Sequence, residues 1–374
     1  MKYFLTILLL SLFFISCTEN KKKEEIQKPL DNNYKVIAYV HGWNDILETH
    51  KEKANQITHI NYAFANIKDG KVIEGKRSDT ETLKKLNGLK SVNQDLKILI
   101  SVGGWTWSKN FSDAVLTEQS REIFANSAIA FMQKHKIDGI DLDWEYPGQR
   151  AEDNIFRPSD KDNFTLLLET IRKALDAEGE KDNTHYLLTI ATGADQAYID
   201  NTDLEQAHKH LDFINIMCYD YFNGWMHQTG HQANLHPSKK DKYDVNSGVQ
   251  AVERHIKAGV PANKLVMGIP FYGRQWGKVS STKDGLYETA NEGGIIVPYW
   301  DIVEKIKSGN YIKGYDESAK ASYLWNANDS IFISYDTPKD VALKTAYIKK
   351  NGLGGAMFWE YSLDKDQELL NTLY

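Results

Sequence analysis

Residues 138–148 read Asp-Gly-Ile-Asp-Leu-Asp-Trp-Glu-Tyr-Pro-Gly, and no other stretch restricts the fold so tightly. Apolar Ile137, Ile140 and Leu142, followed by a Pro-Gly stop, predict one short buried strand ending in a turn. Side chains on a strand alternate between faces, so Asp141, Asp143 and Glu145 share one face. Their Cβ atoms step along it by roughly 6–7 Å each. Asp138 has the other parity and faces elsewhere. Scattered acids ordinarily form a solvated face, but these interleave with Ile, Leu and Trp in a run that reads as core. Three carboxyls so close cannot all ionise, so one should hold its proton well above the usual pKa. That proton is what a general acid needs at neutral pH.

From residue 34 onward a strand-then-helix rhythm sets in. Strand patterns fall at 35–40, 59–64, 97–102, 139–144, 186–191, 212–217, 265–270 and 356–359. The clearest helical pattern follows Ser159, read as a cap, with Asp162 in the first turn and Phe164, Leu167, Leu168, Ile171 and Leu175 on one face. Another runs over 118–135, and a third begins at Thr337-Pro338, a cap with proline in the first helical position. Strands alternating with helices in this way predict an α/β fold, a parallel (β/α)8 TIM barrel over 34–374. About 340 residues exceed the roughly 250 that a plain barrel needs. The surplus lies between strands seven and eight, at about 275–335, where short strands and Tyr/Trp-rich turns take over. Neither an internal repeat nor a second independent domain is visible.

Such barrels work at the C-terminal ends of their strands. Strand three ends in Ser101-Val102-Gly103-Gly104-Trp105, where the glycines, Gly104 included, let backbone approach a ligand closely. Strand six ends in Met217-Cys218-Tyr219-Asp220, strand seven in Pro270-Phe271-Tyr272-Gly273-Arg274, and strand eight in Met357-Phe358-Trp359-Glu360. Any one ending could be rim packing, but four in one barrel fit a binding cleft better. Nine Trp and twenty Tyr suit carbohydrate, whose flat C–H faces stack on rings, although many of these aromatics will simply be core. Net charge is mildly negative with no basic patch, which argues against nucleic acid as a partner. The His residues are scattered without metal-site spacing, so neither metal nor cofactor is expected.

The chain opens with Met-Lys and an apolar run over 3–15, too short to span a bilayer as a helix and shaped like a secretory signal. Phe14-Ile15-Ser16-Cys17 resembles a bacterial lipobox, whose Cys is lipidated and becomes the mature N-terminus. An ordinary signal peptide with an incidental Cys is the alternative, and would leave the protein secreted. Residues 18–33 are rich in Lys, Glu and Asn, and predict a disordered tether. The expected location is the outer membrane or cell surface of a Gram-negative bacterium. The other cysteine, Cys218, has no partner for a disulfide once Cys17 is lipidated, and reads as a small core residue.

The acids fit the pattern Asp-x-x-Asp-x-Asp-x-Glu, and with Trp-Glu-Tyr-Pro-Gly the chain resembles glycoside hydrolase family 18, the chitinases and their relatives, over nearly all of its length after residue 34. The resemblance implies substrate-assisted, retaining hydrolysis of β-1,4 links between N-acetylglucosamine units. Glu145 would protonate the leaving oxygen and later activate water, while the N-acetyl carbonyl oxygen of the sugar attacks the anomeric carbon. Asp143 would orient and charge-stabilise that acetamido group, Asp141 would share a proton with Asp143, and Tyr219 would bond the acetamido oxygen. Trp359 would floor the cleaved sugar. The resemblance also implies that Tyr39, Phe64, Ser101, Met217, Asp220, Tyr272 and Arg274 line this subsite or tune the acids, and that Trp105 and Trp225 stack neighbouring sugars. The insertion would wall a deep groove, and the protein would act as a monomer on chitin or N-acetylglucosamine oligosaccharides. Two alternatives stay open: cleavage of the chitobiose core of N-glycans, and a catalytically silent chitin-binding lectin. The intact Glu145 speaks against the second.

Overall fold

The strand expected around the acids forms as Gly139–Asp143, buried along its whole length. In this computed structural model, which describes residues 34–242, 246–281 and 283–373, it is the fourth of eight parallel strands. The expected signal peptide, lipidated Cys17 and tether lie outside the described residues. The strands are β1 (Lys35–Val40), β2 (His59–Lys68), β3 (Lys97–Gly103), β4 (Gly139–Asp143), β5 (Leu187–Thr192), β6 (Phe213–Ile216), β7 (Leu265–Pro270) and β8 (Gly355–Trp359). Each pairs with the next, and β8 returns to β1 through Lys35↔Gly355 to Ala38↔Phe358, which closes the barrel. Closure leaves no open edge, so every strand can be buried on both sides, as the near-continuous apolar runs require.

Six strands differ from expectation at one end or both, mostly by a single residue, and two of these differences have identifiable reasons. β2 continues to Lys68 because, beyond an irregularity between Ala63 and Ala65, it pairs with a short antiparallel strand, Lys71–Ile73. β4 stops at Asp143 because Trp144 leaves the ladder and packs outward. Its ring stacks on Phe111 at 5.1 Å and meets Phe164 edge-on at 5.6 Å. Ring pairs of this kind add about 0.5–1.5 kcal/mol beyond the area they bury. Trp144 thus anchors the strand end that carries the acids to the surrounding helices.

The helices follow their end signals with one exception. Glu118–His135 starts at a Thr117–Ser120 capping box and ends at Lys136 in the left-handed region, φ 53°. Pro338–Lys350 starts at a Thr337–Asp340 box. Asp160–Asp182 does begin after Ser159, but that hydroxyl caps nothing. The buried Asp160, first residue of the helix, instead ties down the preceding turn and a neighbouring helix, accepting from Arg157 N at 2.7 Å and Ser112 Oγ at 2.6 Å.

Between β7 and β8 the chain builds a separate antiparallel sheet, in the order Ala290–Pro298, Tyr272–Val279, Ile331–Tyr335, Ala321–Asn326 and Ile312–Asp316, with the helix Tyr299–Lys307. Its own core contains Trp276, Tyr323, Trp325 and Phe332, joined by Phe222 from the loop after β6. A buried Lys344–Asp336 ion pair ties the end of this sheet to the last barrel helix.

Candidate active site

Asp141 sits inside the barrel, fully buried, at the centre of a ring of donors. Tyr39 Oη and Ser101 Oγ each donate to Oδ2 at 2.7 Å, Thr189 Oγ1 donates to Oδ1 at 2.6 Å, and Asn215 Nδ2 reaches Oδ1 at 3.4 Å. These come from β1, β3, β5 and β6, so four strands aim at one carboxyl. Burial pushes the Asp141 carboxyl above the usual range even though all four donors pull it down.

One step toward the open end stands Asp143, and beyond it Glu145. Exposure rises in that order, from 0 to 4 to 9%, which puts Glu145 nearest the barrel mouth. Among the described residues, no donor reaches the buried Asp143 Oδ1. Burial, then the charges of Glu145 and Asp141, hold Asp143 well above the usual carboxyl range. Glu145 is pushed up to about 7 by burial and by the charge of Asp220, against a hydrogen bond from Tyr146. All three carboxyls are therefore raised, and burial outweighs mutual repulsion as the cause.

The walls are aromatic. Trp359 stacks on Phe64 at 5.6 Å and lies 5.7 Å from Tyr39. Met217 and Tyr219 pack against the same cluster as these rings. Tyr219 meets Tyr272 edge-on at 6.0 Å. Burial and the charges of Asp143, Asp220 and Glu145 raise the Tyr219 hydroxyl, so it stays a proton donor at neutral pH. Arg274 grips Asp220 through two bonds, Nε to Oδ1 at 2.8 Å and Nη2 to Oδ2 at 2.6 Å. Its Nη1 also donates to Gly294 O of the antiparallel sheet at 3.0 Å. Gly104, at φ 76°, lies against Phe64, whose ring would be 2.6 Å from a Cβ there. The space this glycine leaves is taken by the chain's own ring.

An acidic strand of this spacing, at the C-terminal end of a closed barrel, is matched by the family model for glycosyl hydrolases family 18 over residues 35–364. The chain belongs to glycosyl hydrolases family 18. It is 38% identical to chitinase A1 of Niallia circulans over 91% of this chain and 58% of that protein, so it spans less than two thirds of that relative. It is 35% identical to chitinase 1 of Aphanocladium album over 83% of this chain and 77% of that one. Among solved structures, a family 18 N-acetylglucosaminidase from Paenibacillus barengoltzii superposes with a TM-score of 0.86 at 40% identity, covering 91% of this chain and 99% of that one.

Within the family 18 frame, the two expected stacking platforms differ in setting. Trp225 is 74% exposed, and its neighbour Gly224 packs on the Gly293–Gly294 backbone. Trp105 is half-buried, bonded through Nε1 to Glu152 Oε2 at 2.9 Å, with its ring 6.5 Å from Tyr146. Four residues of the site escaped the sequence reading. Thr189 and Asn215 carry a usable signal, since each is a polar residue flanked by apolar ones, in Leu188-Thr189-Ile190 and Ile214-Asn215-Ile216. Tyr146 and Ser108, which touch Glu145, carry none. Asp138 faces away as its parity dictates, with Oδ2 accepting from Lys90 Nζ at 2.7 Å and Ile98 N at 2.8 Å.

Proposed function

We propose that this glycoside hydrolase is a chitinase that cleaves β-1,4 links between N-acetylglucosamine units with help from the substrate's own N-acetyl group. One observation carries the reading: a carboxyl protonated near neutrality, Glu145, beside a buried carboxyl, Asp143, whose Oδ1 meets no donor of the described chain. The first supplies a proton to a leaving oxygen. The second is set to accept the N–H of an acetamido group and to face the positive charge that develops next to it. Tyr219 donates to the acetamido oxygen, Trp359 floors the sugar, and Asp141, held by its ring of donors, shares a proton with Asp143, so that Asp143 can face the sugar as a carboxylate. An acetamide held beside the anomeric carbon attacks with a high effective concentration.

The roles imply a pH profile. The general acid must be protonated, so kcat should fall as pH rises through about 7, where Glu145 loses its proton. A pH series of initial rates on N-acetylglucosamine oligomers checks this, and a kcat still flat at pH 9 would take Glu145 out of the acid role.

The Paenibacillus relative, an N-acetylglucosaminidase, favours a second reading in which single sugars leave a chain end. Product analysis on a hexamer of N-acetylglucosamine, run beside a high-mannose glycopeptide, separates the cases. Dimers and trimers support chitinase action along the polymer, monomer alone supports end-wise release, and cleavage of the glycopeptide instead would overturn both. We further propose that the chain works as a monomer and is exported and anchored through a lipid on Cys17, on the strength of the apolar leader and the lipobox-like Phe14-Ile15-Ser16-Cys17. Mass spectrometry of the mature N-terminus should find a diacylated or triacylated Cys17. An unmodified terminus downstream of it would end the proposal.

A further inference from the structure

The position of Glu145 poses a mechanical problem. The β3–β4 ladder ends at Gly103↔Asp143 and the β4–β5 ladder at Leu142↔Ile190, so no neighbouring strand holds the backbone of Glu145. A long side chain on a free-running backbone would wander by more than the reaction tolerates, since a displacement of about 1 Å can cost roughly 100-fold in rate. Two side chains take the place of the missing ladder. Ser108 Oγ, fully buried, accepts the Glu145 N–H at 2.9 Å. Its own proton lies between Gly104 O at 2.9 Å and Asp143 O at 3.1 Å. From the other side, Asn154 Nδ2 donates to Glu145 O.

We propose that Ser108 and Asn154 are positioning residues that clamp both polar backbone atoms of Glu145 and so set where its carboxyl stands relative to Asp143 and the bound sugar. The proposal rests on the reading of Glu145 as the acid. Neither residue touches the reacting atoms; each acts through Glu145. They come from different connections, Ser108 from the turn Ser108–Asn110 after β3 and Asn154 from the loop between β4 and the helix Asp160–Asp182. Four side-chain bonds fasten these two segments to each other. Trp105 Nε1 donates to Glu152 at 2.9 Å, Lys109 pairs with Asp153 at 2.6 Å, and Arg157 reaches Ser112 Oγ at 2.7 Å and Asp113 at 2.6 Å. The exposed ion pairs add little stability singly. Their effect is on register, because they keep the loop where Asn154 meets Glu145 O. The titratable groups facing the Glu145 carboxyl are Asp143, Tyr146, Tyr219 and Asp220, the last held by Arg274.

Asn154→Ala and Ser108→Ala in the full chain test this, with folded fraction read by circular dichroism and turnover read on chitin oligomers across pH. Loosening the clamp lets Glu145 reach solvent, which relieves the burial that raises it. The expected result is a kcat lower by about tenfold or more, KM within about threefold, and an alkaline limb of the kcat profile displaced to lower pH. A purely structural role would lower the amplitude equally at all pH values in step with folded fraction and leave the limb in place. That outcome, or a kcat within twofold of the parent, would overturn the proposal. If Ser108→Ala fails to fold, Asn154→Ala, at a half-buried loop position, decides alone. An unsubstituted protein that turns over no chitin oligomer at all would instead overturn the chitinase reading.

Discussion

Replacing Glu145 by Gln should abolish turnover of chitin oligomers while leaving their binding largely intact. The amide keeps the size of the side chain and most of its hydrogen bonding but has no proton to transfer. Positioned acid catalysis is worth roughly 10²–10⁴ in rate, and more for a poor leaving group such as a sugar alkoxide. The same substitution should not cost stability. Glu145 titrates near 7 in the fold against about 4.5 outside it, so between those values the folded protein binds the extra proton. Its contribution to stability is present below about 4.5 and is lost as pH rises through about 7. At pH 8 the parent holds a buried charge where the Gln variant holds none, so the variant should unfold at equal or higher urea concentration. Initial rates, calorimetric titration with an oligomer and urea melts at pH 8 read the three parts. A variant within about tenfold of the parent rate would remove Glu145 from the mechanism.

That pairing of lost activity with kept stability reflects how the site is built, and the sequence shows only part of it. The eight strands are legible because each is an apolar run, buried on both sides, bounded by turn signals. The alternation of Asp141, Asp143 and Glu145 is legible because the period of a strand is fixed by its geometry. The extent of the helix over 118–135 is legible, though the Thr117–Ser120 box that starts it shows only in the fold. What holds the acids is not local. The ring around Asp141 draws on residues 39, 101, 189 and 215, whose convergence depends on barrel closure. The sequence suggests that charge repulsion raises the acids, but burial leads for all three, and burial is a property of the assembled interior. Ser108 and Asn154 look like ordinary loop residues until β4 is seen to end two residues before Glu145. Ser159 shows the converse error, a good local cap signal that no first-turn N–H uses, while the buried Asp160 beside it bonds the preceding turn and Ser112.

Asp143→Asn is expected to lower kcat by about 10²–10³, the range found when one element of electrostatic stabilisation is removed from a buried site. The substitution keeps the shape of the side chain and leaves Glu145 in place, but it takes away the negative charge next to the position where positive charge develops. It also offers an N–H where the acetamido N–H requires an acceptor. The loss should therefore be concentrated in the first step, formation of the cyclic intermediate. A thiazoline analogue of that intermediate should lose affinity for the variant by far more than an unreacted chitin oligomer does, because the site is complementary to the intermediate and not to the ground state. The parent enzyme should release its first product with retained configuration, read by proton NMR before mutarotation, and should leave cello-oligomers of the same length and linkage intact. An inverted first product, or a sugar ester trapped on Asp141, Asp143 or Glu145, would show that an enzyme carboxylate or water attacks first. In that case the acetamido group would be a recognition handle only, and Asp143→Asn should weaken oligomer and thiazoline equally.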